Sequence, residues 1–476
     1  MKTIIKIFVL FAVVFALLPV INILKAQENS ALYFSRQPQA ANYNPAFMSN
    51  NKFYITPPLL GRFAVDIHTS GFAYHDLINQ HPDFADSLRL DVEGFLGKLK
   101  DNNNFSFGMN FDLIGLGFKI GKNYFSVGSN LTVETKIGFS KNLFDFAVHG
   151  TNMSSKSLDV LNRKLVDATA YAFTYIGYAR EITDQLTVGA RFKIYTGVAN
   201  VHTNKSIVNL QFDGEEVAAY GDFDIYASTF FGHFMELSSV INDHSDFSFE
   251  REDDVAKSAK NIKDNKGYGF DIGATYQLNE TMQISASIID IGKITWKTNA
   301  AQLRSSNPNE RIVFSGVDVD YNNISEDLED YFDDMADSLK HAFDMELHNI
   351  GSYSTSVPTK IYVGYSWEFF PHMNLQALYS GRFIAGSYEN ALTLNYSLFA
   401  GPLQLSVGNT VKYTWFNPSV LLSLGSAFYI GASFSSSYNL AKTSGMNFYA
   451  GFNFAVKNKK KAKFKPVEQP AEEILP

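Results

Sequence analysis

Apolar and polar residues alternate one by one along many segments of this chain. In residues 186–194 every second side chain is apolar, and Arg191 and Lys193 are among the residues between them. Residues 268–278 and 359–369 repeat the pattern. A strand directs successive side chains to opposite faces, so a period of two indicates a β-strand with one apolar and one polar face.

The predicted strands are long and numerous. These three segments run to 9 to 11 residues, which matches a tilted strand that crosses a bilayer and exceeds an ordinary soluble strand. Similar segments begin near Lys52, Phe105, Tyr124, Ala168, Met282, Asn374, Tyr388, Leu403, Pro418, Ala427 and Gly445. Bacterial outer-membrane barrels usually have an even number of strands. The pattern therefore predicts an all-β fold, a transmembrane antiparallel β-barrel of about 14 strands.

The predicted connections fall into two classes that alternate along the chain. The short ones are Gly121–Asn123, Thr183–Gln185, Asn279–Thr281, Pro371–Met373, Gly401–Pro402 and Gly425–Ser426. The long ones lie at about 68–104, 141–167, 199–266 and 298–356. Short periplasmic turns and long outer loops are the expected asymmetry of a membrane barrel. Apolar residues at helical spacing predict a helix over Ser325–Phe343 within the last insert.

The two ends of the chain differ from the strand segments. Residues 1–26 have the basic start, the apolar run and the small residue, Ala26, of a cleaved secretory signal peptide. An uncleaved anchor is the alternative, which Pro19 disfavours. We expect the barrel to occupy residues 52–456 and residues 457–476 to form a basic, disordered periplasmic tail. An exported barrel is expected in the cell outer membrane, with outer-membrane lipid around it.

Composition narrows the classes of function. The formal charge of -8 argues against a nucleic-acid partner, because no domain-wide basic surface could neutralise phosphates. Cysteine is absent, which excludes disulfides, thiolate zinc sites, cysteine nucleophiles and a lipidated cysteine. The 25 Tyr and 42 Phe favour strands, and the 32 Gly suit turns and tight barrel positions.

Three stretches of the chain form a set of motifs: Asn44-Pro45-Ala46, Ile288-Ile289-Asp290-Ile291-Gly292 through Trp296, and Val357-Pro358-Thr359-Lys360-Ile361-Tyr362-Val363-Gly364. They resemble a group of FadL-like outer-membrane barrels from gliding and type IX-secreting bacteria, related to PorV and PorP/SprF-type barrels. The resemblance implies an N-terminal hatch-like segment at 27–51 inside a fourteen-stranded barrel. Asn44, Pro45 and Ala46 would be the motif of this hatch.

Few residue patterns indicate site chemistry. The positions of a calcium loop are copied by Asp318, Asp320, Asn322 and Glu329. Asn323 replaces the glycine of that loop, and a strand-like run precedes it, so a solvated acidic loop is the favoured interpretation and calcium the alternative. Gly115-Leu116-Gly117 is read as a hairpin strand and not as a dinucleotide motif, and His341 and His348 are too far apart for one metal site. We predict no catalytic, cofactor-binding or metal-binding residues, no cofactor, and no enzyme activity.

Polar and aromatic residues of the strands have structural assignments. The polar faces would place six residues in the lumen: Arg191, Lys193, Asp271, Lys360, Glu368 and Lys412. Aromatic residues near strand ends would form interfacial girdles: Trp296, Trp367, Tyr413 and Trp415.

Three functions are compatible with these observations. The first is a FadL-like conduit for small or hydrophobic molecules, plugged by the N-terminal segment. The second is a non-transporting barrel that anchors or assembles a secretion, gliding or surface-attachment complex, with a periplasmic or secretion-system protein as partner. The third, a soluble periplasmic β-protein or an outer-membrane enzyme, remains because alternation alone does not show which face meets lipid.

Overall fold

A computed structural model describes most of the chain. The described residues are 30–49, 51–80, 88–149, 157–162, 164–213, 216–228, 262–306, 312–314, 345–384, 386–411, 417–435 and 442–457. The predicted signal peptide, the helix predicted at Ser325–Phe343 and the acidic loop at 318–329 lie outside them, as do His341, Lys412, Tyr413, Trp415 and all but the first residue of the tail.

The helices are short. They are α1 (Ser30–Tyr33), α2 (Tyr74–Leu77), α3 (Val92–Lys98) and α4 (Lys141–His149), with 3₁₀ turns at Pro38–Asn42 and Ile262–Asp264. No described helix has the length and apolar character needed to cross a membrane.

Most of the described chain is β-structure. The strands are β1 (Asn51–Thr56), β2 (Phe63–Thr69), β3 (Ile78–Gln80), β4 (Leu88–Leu90), β5 (Asn102–Ile120), β6 (Asn123–Ser140), β7 (Ser157–Asn162), β8 (Val166–Glu181), β9 (Leu186–Asp213), β10 (Glu216–Ser228), β11 (Lys266–Gln277), β12 (Met282–Trp296), β13 (Ala301–Ser305), β14 (Ile312–Phe314), β15 (Met345–Asn349), β16 (Tyr353–Ser356), β17 (Lys360–Phe370), β18 (Met373–Ile384), β19 (Ser387–Ala400), β20 (Leu403–Val411), β21 (Pro418–Leu424), β22 (Phe428–Ser435), β23 (Gly445–Phe452) and β24 (Phe454–Lys457).

The strands close into an antiparallel barrel with fourteen wall positions. Three positions contain two consecutive strands each, namely β1/β2, β16/β17 and β23/β24, and each other position contains one strand. The order around the wall is β1/β2, β5, β6, β8, β9, β11, β12, β16/β17, β18, β19, β20, β21, β22 and β23/β24. The wall closes where Phe53 pairs with Val456 and Val65 pairs with Phe448. The predicted fold and strand number are confirmed, and the six predicted short turns join neighbouring strands at one end of the barrel.

The two faces of the wall follow the alternation in the sequence. In β11 the side chains of Tyr268, Phe270 and Ile272 are 58%, 54% and 51% exposed, whereas Asp271 between them is completely buried. The apolar face therefore points outward and the polar face points into the lumen. Such an inverted arrangement suits a barrel surrounded by lipid.

Some strands continue far beyond the predicted length. β9 has 28 residues, and its second half pairs with β7 and β10. β10 also pairs with β13 and β14, and β13 pairs with β15. We call this part of the structure (β7, the second half of β9, β10, β13, β14 and β15) the rim sheet. Part of the predicted insert at 199–266 is therefore sheet, because ladder hydrogen bonding continues past the barrel wall.

One residue predicted to lie in the interfacial girdle, Trp296, lies in the interior instead. Trp296 is fully buried, packs with Tyr171 and Tyr195, and donates a hydrogen bond from Nε1 to Oγ1 of Thr355 at 2.8 Å. The girdle prediction is wrong for Trp296 because a strand bulge in β12 reverses the faces of the residues after it. Trp367 is 37% exposed on the outer face of the wall.

Candidate functional site: the sealed lumen

Residues 30–49 lie inside the barrel, and we call them the plug. The plug consists of α1, the 3₁₀ turn at Pro38–Asn42 and irregular backbone. Many of its side chains are buried: Ala31, Leu32, Tyr33, Ala40, Ala41, Asn44 and Ala46. Irregular backbone at this depth needs hydrogen-bond partners, because unpaired buried peptide groups are costly.

The first part of the plug is attached to β19–β22. Oγ of Ser30 donates to Oδ1 of Asn395 at 3.4 Å. Arg36 donates to the carbonyl of Gly401 at 3.1 Å, and its guanidinium lies 4.1 Å from the ring centre of Phe399. These contacts fix the segment against one side of the barrel, near the end with the short turns.

The Asn44-Pro45-Ala46 motif is attached to the opposite side. Nδ2 of Asn44 donates to the carbonyls of Ala274 and Ala286, each at 3.2 Å, and these two residues form a cross-strand pair of β11 and β12. Oδ1 of Asn44 accepts from the amide of Ala46 at 2.9 Å. One asparagine side chain therefore folds the motif and joins it to two wall strands.

Two wall glycines make room for this attachment. A Cβ atom on Gly189 would overlap the carbonyl of Pro45 and the amide nitrogen of Ala46. A Cβ atom on Gly273 would overlap the side chain of Asn44. Because the plug backbone approaches so closely, any larger side chain at Gly189 would displace it.

Aromatic side chains complete the seal in the middle of the lumen. Tyr33 packs against Phe47 and Tyr362, with ring centres 4.9 and 5.8 Å apart, and Tyr43 packs on Tyr362 at 5.6 Å. These rings belong to one buried cluster with Ile289 and side chains of other wall strands. The hydroxyl of Tyr33 lies 2.9 Å from Oγ of Ser285, so the polar tip of the ring also has a partner.

One cavity lies on each side of the plug. The outer cavity, of about 80 Å³, is on the side of the long loops and is lined by Asn42, Tyr43 and charged wall residues such as Arg62 and Lys360. The inner cavity, of about 440 Å³, is on the side of the short turns and is lined by Phe34, Phe47, Met48 and polar wall residues. The plug thus divides the lumen into two compartments.

Charged side chains of the wall meet in ion pairs around the outer cavity. Lys193 contacts Asp271 at 2.9 Å and Asp290 at 2.5 Å. Lys360 contacts Glu134 at 3.3 Å. The other pairs are Arg62 with Asp112 (3.2 Å), Lys136 with Glu389 (2.8 Å) and Arg382 with Glu389 (2.9 Å). Buried charges are retained in proteins when they are paired in this way.

A bulge in β12 positions one of these carboxylates, that of Asp290. Phe270 pairs with Ile291 and Ile272 pairs with Ile288, so β12 has an extra residue opposite Asp271. Asp290, within this bulge, has a φ of 60°, a left-handed conformation that Asp tolerates better than most residues. Its amide donates to Oδ1 of Asp271 at 2.8 Å. The bulge therefore aims both carboxylates at Lys193, which is a common use of bulges.

The other two motifs meet at the same place. Ile288 and Ile289 pair with Ile361 and Lys360 across β12 and β17. Oγ1 of Thr359 donates to the carbonyl of Asp290 at 3.2 Å. The second and third stretches on which the family resemblance rests thus lie on neighbouring strands beside the ion pairs, and the first is part of the plug that contacts β11 and β12.

Comparison with known proteins places the chain in a family. Residues 45–433 match the sequence profile of a family of unknown function (DUF5723). The chain belongs to this family. Curated protein sequences give no match.

Solved structures with a similar course of the chain include two toluene transporters and a FadL homologue. The toluene transporter TbuX of Ralstonia pickettii has 11% identity and a TM-score of 0.40, with 88% of this chain and 94% of that one covered. A FadL homologue from Pseudomonas aeruginosa has 11% identity and a TM-score of 0.39, with 91% and 100% covered. The toluene transporter TodX of Pseudomonas putida has 10% identity and a TM-score of 0.30, with 87% and 92% covered.

The residues proposed from sequence to face the lumen occupy different positions. Arg191, Lys193, Asp271 and Lys360 lie around the outer cavity or directly behind its lining. Glu368 lies at the other end of the barrel, where its carboxylate accepts from the amide of His372 at 2.8 Å.

Sequence reasoning missed six charged residues of the same cluster: Arg62, Asp112, Glu134, Lys136, Arg382 and Glu389. Glu134 and Lys136 are two residues apart on the polar face of β6, so the alternation could have identified them. Their partners are more than 200 positions away in the sequence, and no local pattern predicts such pairing.

Metal chemistry has no support in the described parts of the chain. Among the described residues, no group of three or more His, Cys, Asp or Glu side chains is arranged to hold a metal ion. His348 lies on β15 of the rim sheet, where Nε2 contacts Glu346 at 3.0 Å.

Proposed function

We propose that the protein is a gated conduit for a small solute in the outer membrane, and that the plug is its gate. The observation that carries this proposal is the division of one closed lumen into two cavities by a segment of about twenty residues. The wall that surrounds the lumen turns apolar side chains outward, as a membrane barrel does.

The way the plug is held supports a gate. Its attachments are separate hydrogen bonds and one aromatic cluster, distributed over both sides of the lumen. Each neutral hydrogen bond contributes on the order of 1 kcal/mol, so the plug can be released from one side while the closed wall keeps its own ladder. Displacement of the plug would connect the outer and inner cavities.

A disulfide between the plug and the wall tests the gate. The chain has no cysteine, and the side chains of Ser30 and Asn395 are in contact, so the double variant S30C/N395C can tie the plug to β19. We expect oxidation to reduce arabinose flux into proteoliposomes and reduction with dithiothreitol to restore it.

The matched control ties wall to wall. Ser397 and Ser406 have their Oγ atoms 2.7 Å apart on β19 and β20, and S397C/S406C does not involve the plug. Oxidation of this control should leave the flux unchanged. If mass spectrometry verifies the plug disulfide and the oxidised and reduced proteins pass arabinose at the same rate, or neither passes any, the gate proposal is wrong.

A second function has its own support in the rim sheet. The hairpin of β9 and β10 extends the barrel wall and is joined by side-chain contacts such as Asn204 with Asp224 at 2.7 Å. A folded surface of this kind beyond the barrel could hold a partner protein of a secretion, gliding or attachment complex. A tag inserted at residues 214–215 allows crosslinked purification from native outer membranes. Recovery of the same partner in repeated experiments would support docking, and recovery of the barrel alone would contradict it.

A further inference from the structure

The lining of the outer cavity indicates which solutes can use the conduit. We propose that the outer cavity takes small polar solutes of zero net charge, and that it discriminates against ions and against apolar molecules. This inference rests on the proposed conduit function and adds the class of solute. Three observations carry it: the balance of charges, the uncharged wall opposite, and unpartnered polar atoms.

The charges around the outer cavity cancel when the ion-pair partners directly behind the lining are counted together with the lining residues. The cations are Arg62, Lys136, Arg191, Lys193, Lys360 and Arg382, and the carboxylates are Asp66, Asp112, Glu134, Asp271, Asp290 and Glu389. Six of each sign leave no net charge. Pores that select ions do so with rings of one sign, and this lining has no such ring. A solute with a net charge would need a counter-charge that its neighbours already share with one another.

The part of the barrel wall opposite Lys193 has no charged side chains in its strands. Strands β20, β21, β22 and β23 contain no Asp, Glu, Lys, Arg or His, and we call them the uncharged wall. Their buried polar side chains are hydroxyls and amides: Gln404, Ser406, Thr410, Ser423, Ser433, Ser435 and Asn447. These groups can bind solutes through hydrogen bonds and cannot balance an ion.

Three of these side chains, those of Ser423, Ser433 and Asn447, have a polar atom with no hydrogen-bond partner among the described residues, and two of the three are neighbours near the outer cavity. Oδ1 of Asn447, which lines the outer cavity, and Oγ of Ser433 have no hydrogen-bond partner among the described residues. The two residues are cross-strand neighbours and both are 4% exposed. Buried polar groups left unpaired are unfavourable, so a hydroxyl or amide group of a solute would be favoured there.

An apolar solute that enters the outer cavity would cost the lining hydrogen bonds and form none. It would displace water from the paired charges and from the hydroxyls and amides without replacing a single hydrogen bond. The cavity lining therefore favours a solute that both donates and accepts hydrogen bonds and adds no charge.

Flux into liposomes with the full-length protein tests the inference. Five probes of similar size separate the classes: proline, arabinose, glutarate, cadaverine and toluene, each measured as the rate above that of protein-free vesicles. We expect proline and arabinose to enter at least several-fold faster than glutarate and cadaverine, with no protein-dependent flux of toluene.

Each other result has a distinct meaning. Protein-dependent flux of toluene alone, or of either ion at the rate of proline, would overturn the solute class and leave the conduit standing. Absence of flux for all five probes would overturn the conduit and this inference with it.

A charge variant sharpens the test. Lys360→Gln removes the partner of Glu134 and leaves the cluster with an excess negative charge. We expect this variant to raise the flux of cadaverine relative to glutarate several-fold. Lys293→Gln, the same substitution on an exposed residue of β12, is the control and should not change the ratio. An unchanged ratio in Lys360→Gln would overturn the role of charge balance.

Discussion

The charged and the uncharged parts of the barrel wall both line the lumen with polar side chains, but these side chains find their partners in different ways. Around Lys193 the lumen is filled by side chains that pair across strands over distances of 2.5 to 3.8 Å. In the uncharged wall the lumen is lined by hydroxyls and amides. Where β20 pairs with β19, hydroxyls meet across the strands, with Ser397 2.7 Å from Ser406 and Thr393 2.8 Å from Thr410. Both interiors are polar, but only the first depends on compensation of charge.

The two sides also differ outside the barrel. The charged side gives rise to α2, α3, α4 and the rim sheet, and its strands reach 19 residues in β5 and 28 in β9. On the uncharged side, β20 to β23 have 7 to 9 residues. One side of the barrel thus combines the ion pairs, the motifs on β12 and β17, and the loops with helices and extra strands. The plug connects that side to the uncharged wall.

The largest expected effect is the loss of a charge from the ion pairs. Lys193→Met would remove the cation that the buried carboxylates of Asp271 and Asp290 share and leave Asp290 only its 3.8 Å contact with Lys360, at a cost of about 3–5 kcal/mol. On the uncharged wall, Gln404→Met removes neutral hydrogen bonds, including one to Ser406, at a cost of about 1 kcal/mol. Urea titration followed by the heat-modifiable gel shift measures both.

The same experiment has an internal control. Adding Asp271→Asn and Asp290→Asn to Lys193→Met removes the uncompensated charges and should recover most of the lost stability. Equal midpoints for Lys193→Met and Gln404→Met would show that the two walls do not differ in the way we describe.

A smaller change tests the attachment of the plug to the charged side. Gly189→Ala adds a methyl group where the backbone of Pro45 and Ala46 lies, so the plug should move and channel conductance in planar bilayers should rise several-fold. Gly115→Ala is the matched control, because the three atoms nearest to its methyl group would all belong to the side chain of Thr56 in the wall, with Oγ1 at 3.1 Å. Unchanged conductance in Gly189→Ala would argue against this attachment as the closed state.

The smallest effect concerns the loops on the charged side. His149, at the end of α4, contacts Asp145 at 2.8 Å and Glu93 at 3.0 Å, and hydrogen bonds to these two carboxylates raise the pKa of His149. The protonated ring is favoured in the folded protein. Its contribution is therefore complete below the ordinary pKa of about 6.5 and is lost as the pH rises through the raised value.

Amide hydrogen exchange in α4 measures this pH dependence. After correction for intrinsic rates, we expect residues 141–149 to exchange faster relative to the barrel strands at pH 8.5 than at pH 6. The variant His149→Gln should show no such change. A pH-independent ratio in the unmodified protein would contradict the role of His149.

Local sequence was sufficient to predict the wall of the barrel. A period of two determines which face of a strand is apolar, and closure into a lumen turns the other face inward, so Arg191, Lys193 and Asp271 could be proposed as lumen residues from their positions alone. Turn residues such as Gly121, with a φ of 57°, marked the strand ends. These features depend on neighbours within a few residues, which is why they can be read without the fold.

Tertiary structure decided everything that depends on register around the closed wall. It placed Asp290 on Lys193 through a bulge in β12, buried Trp296 after the same bulge, and joined Lys136 to Glu389. It also seated Asn44 on the carbonyls of Ala274 and Ala286. The alternation of side chains determines the face on which a residue lies, but only closure of the barrel determines which residues meet across it, because that depends on the stagger of all fourteen strands.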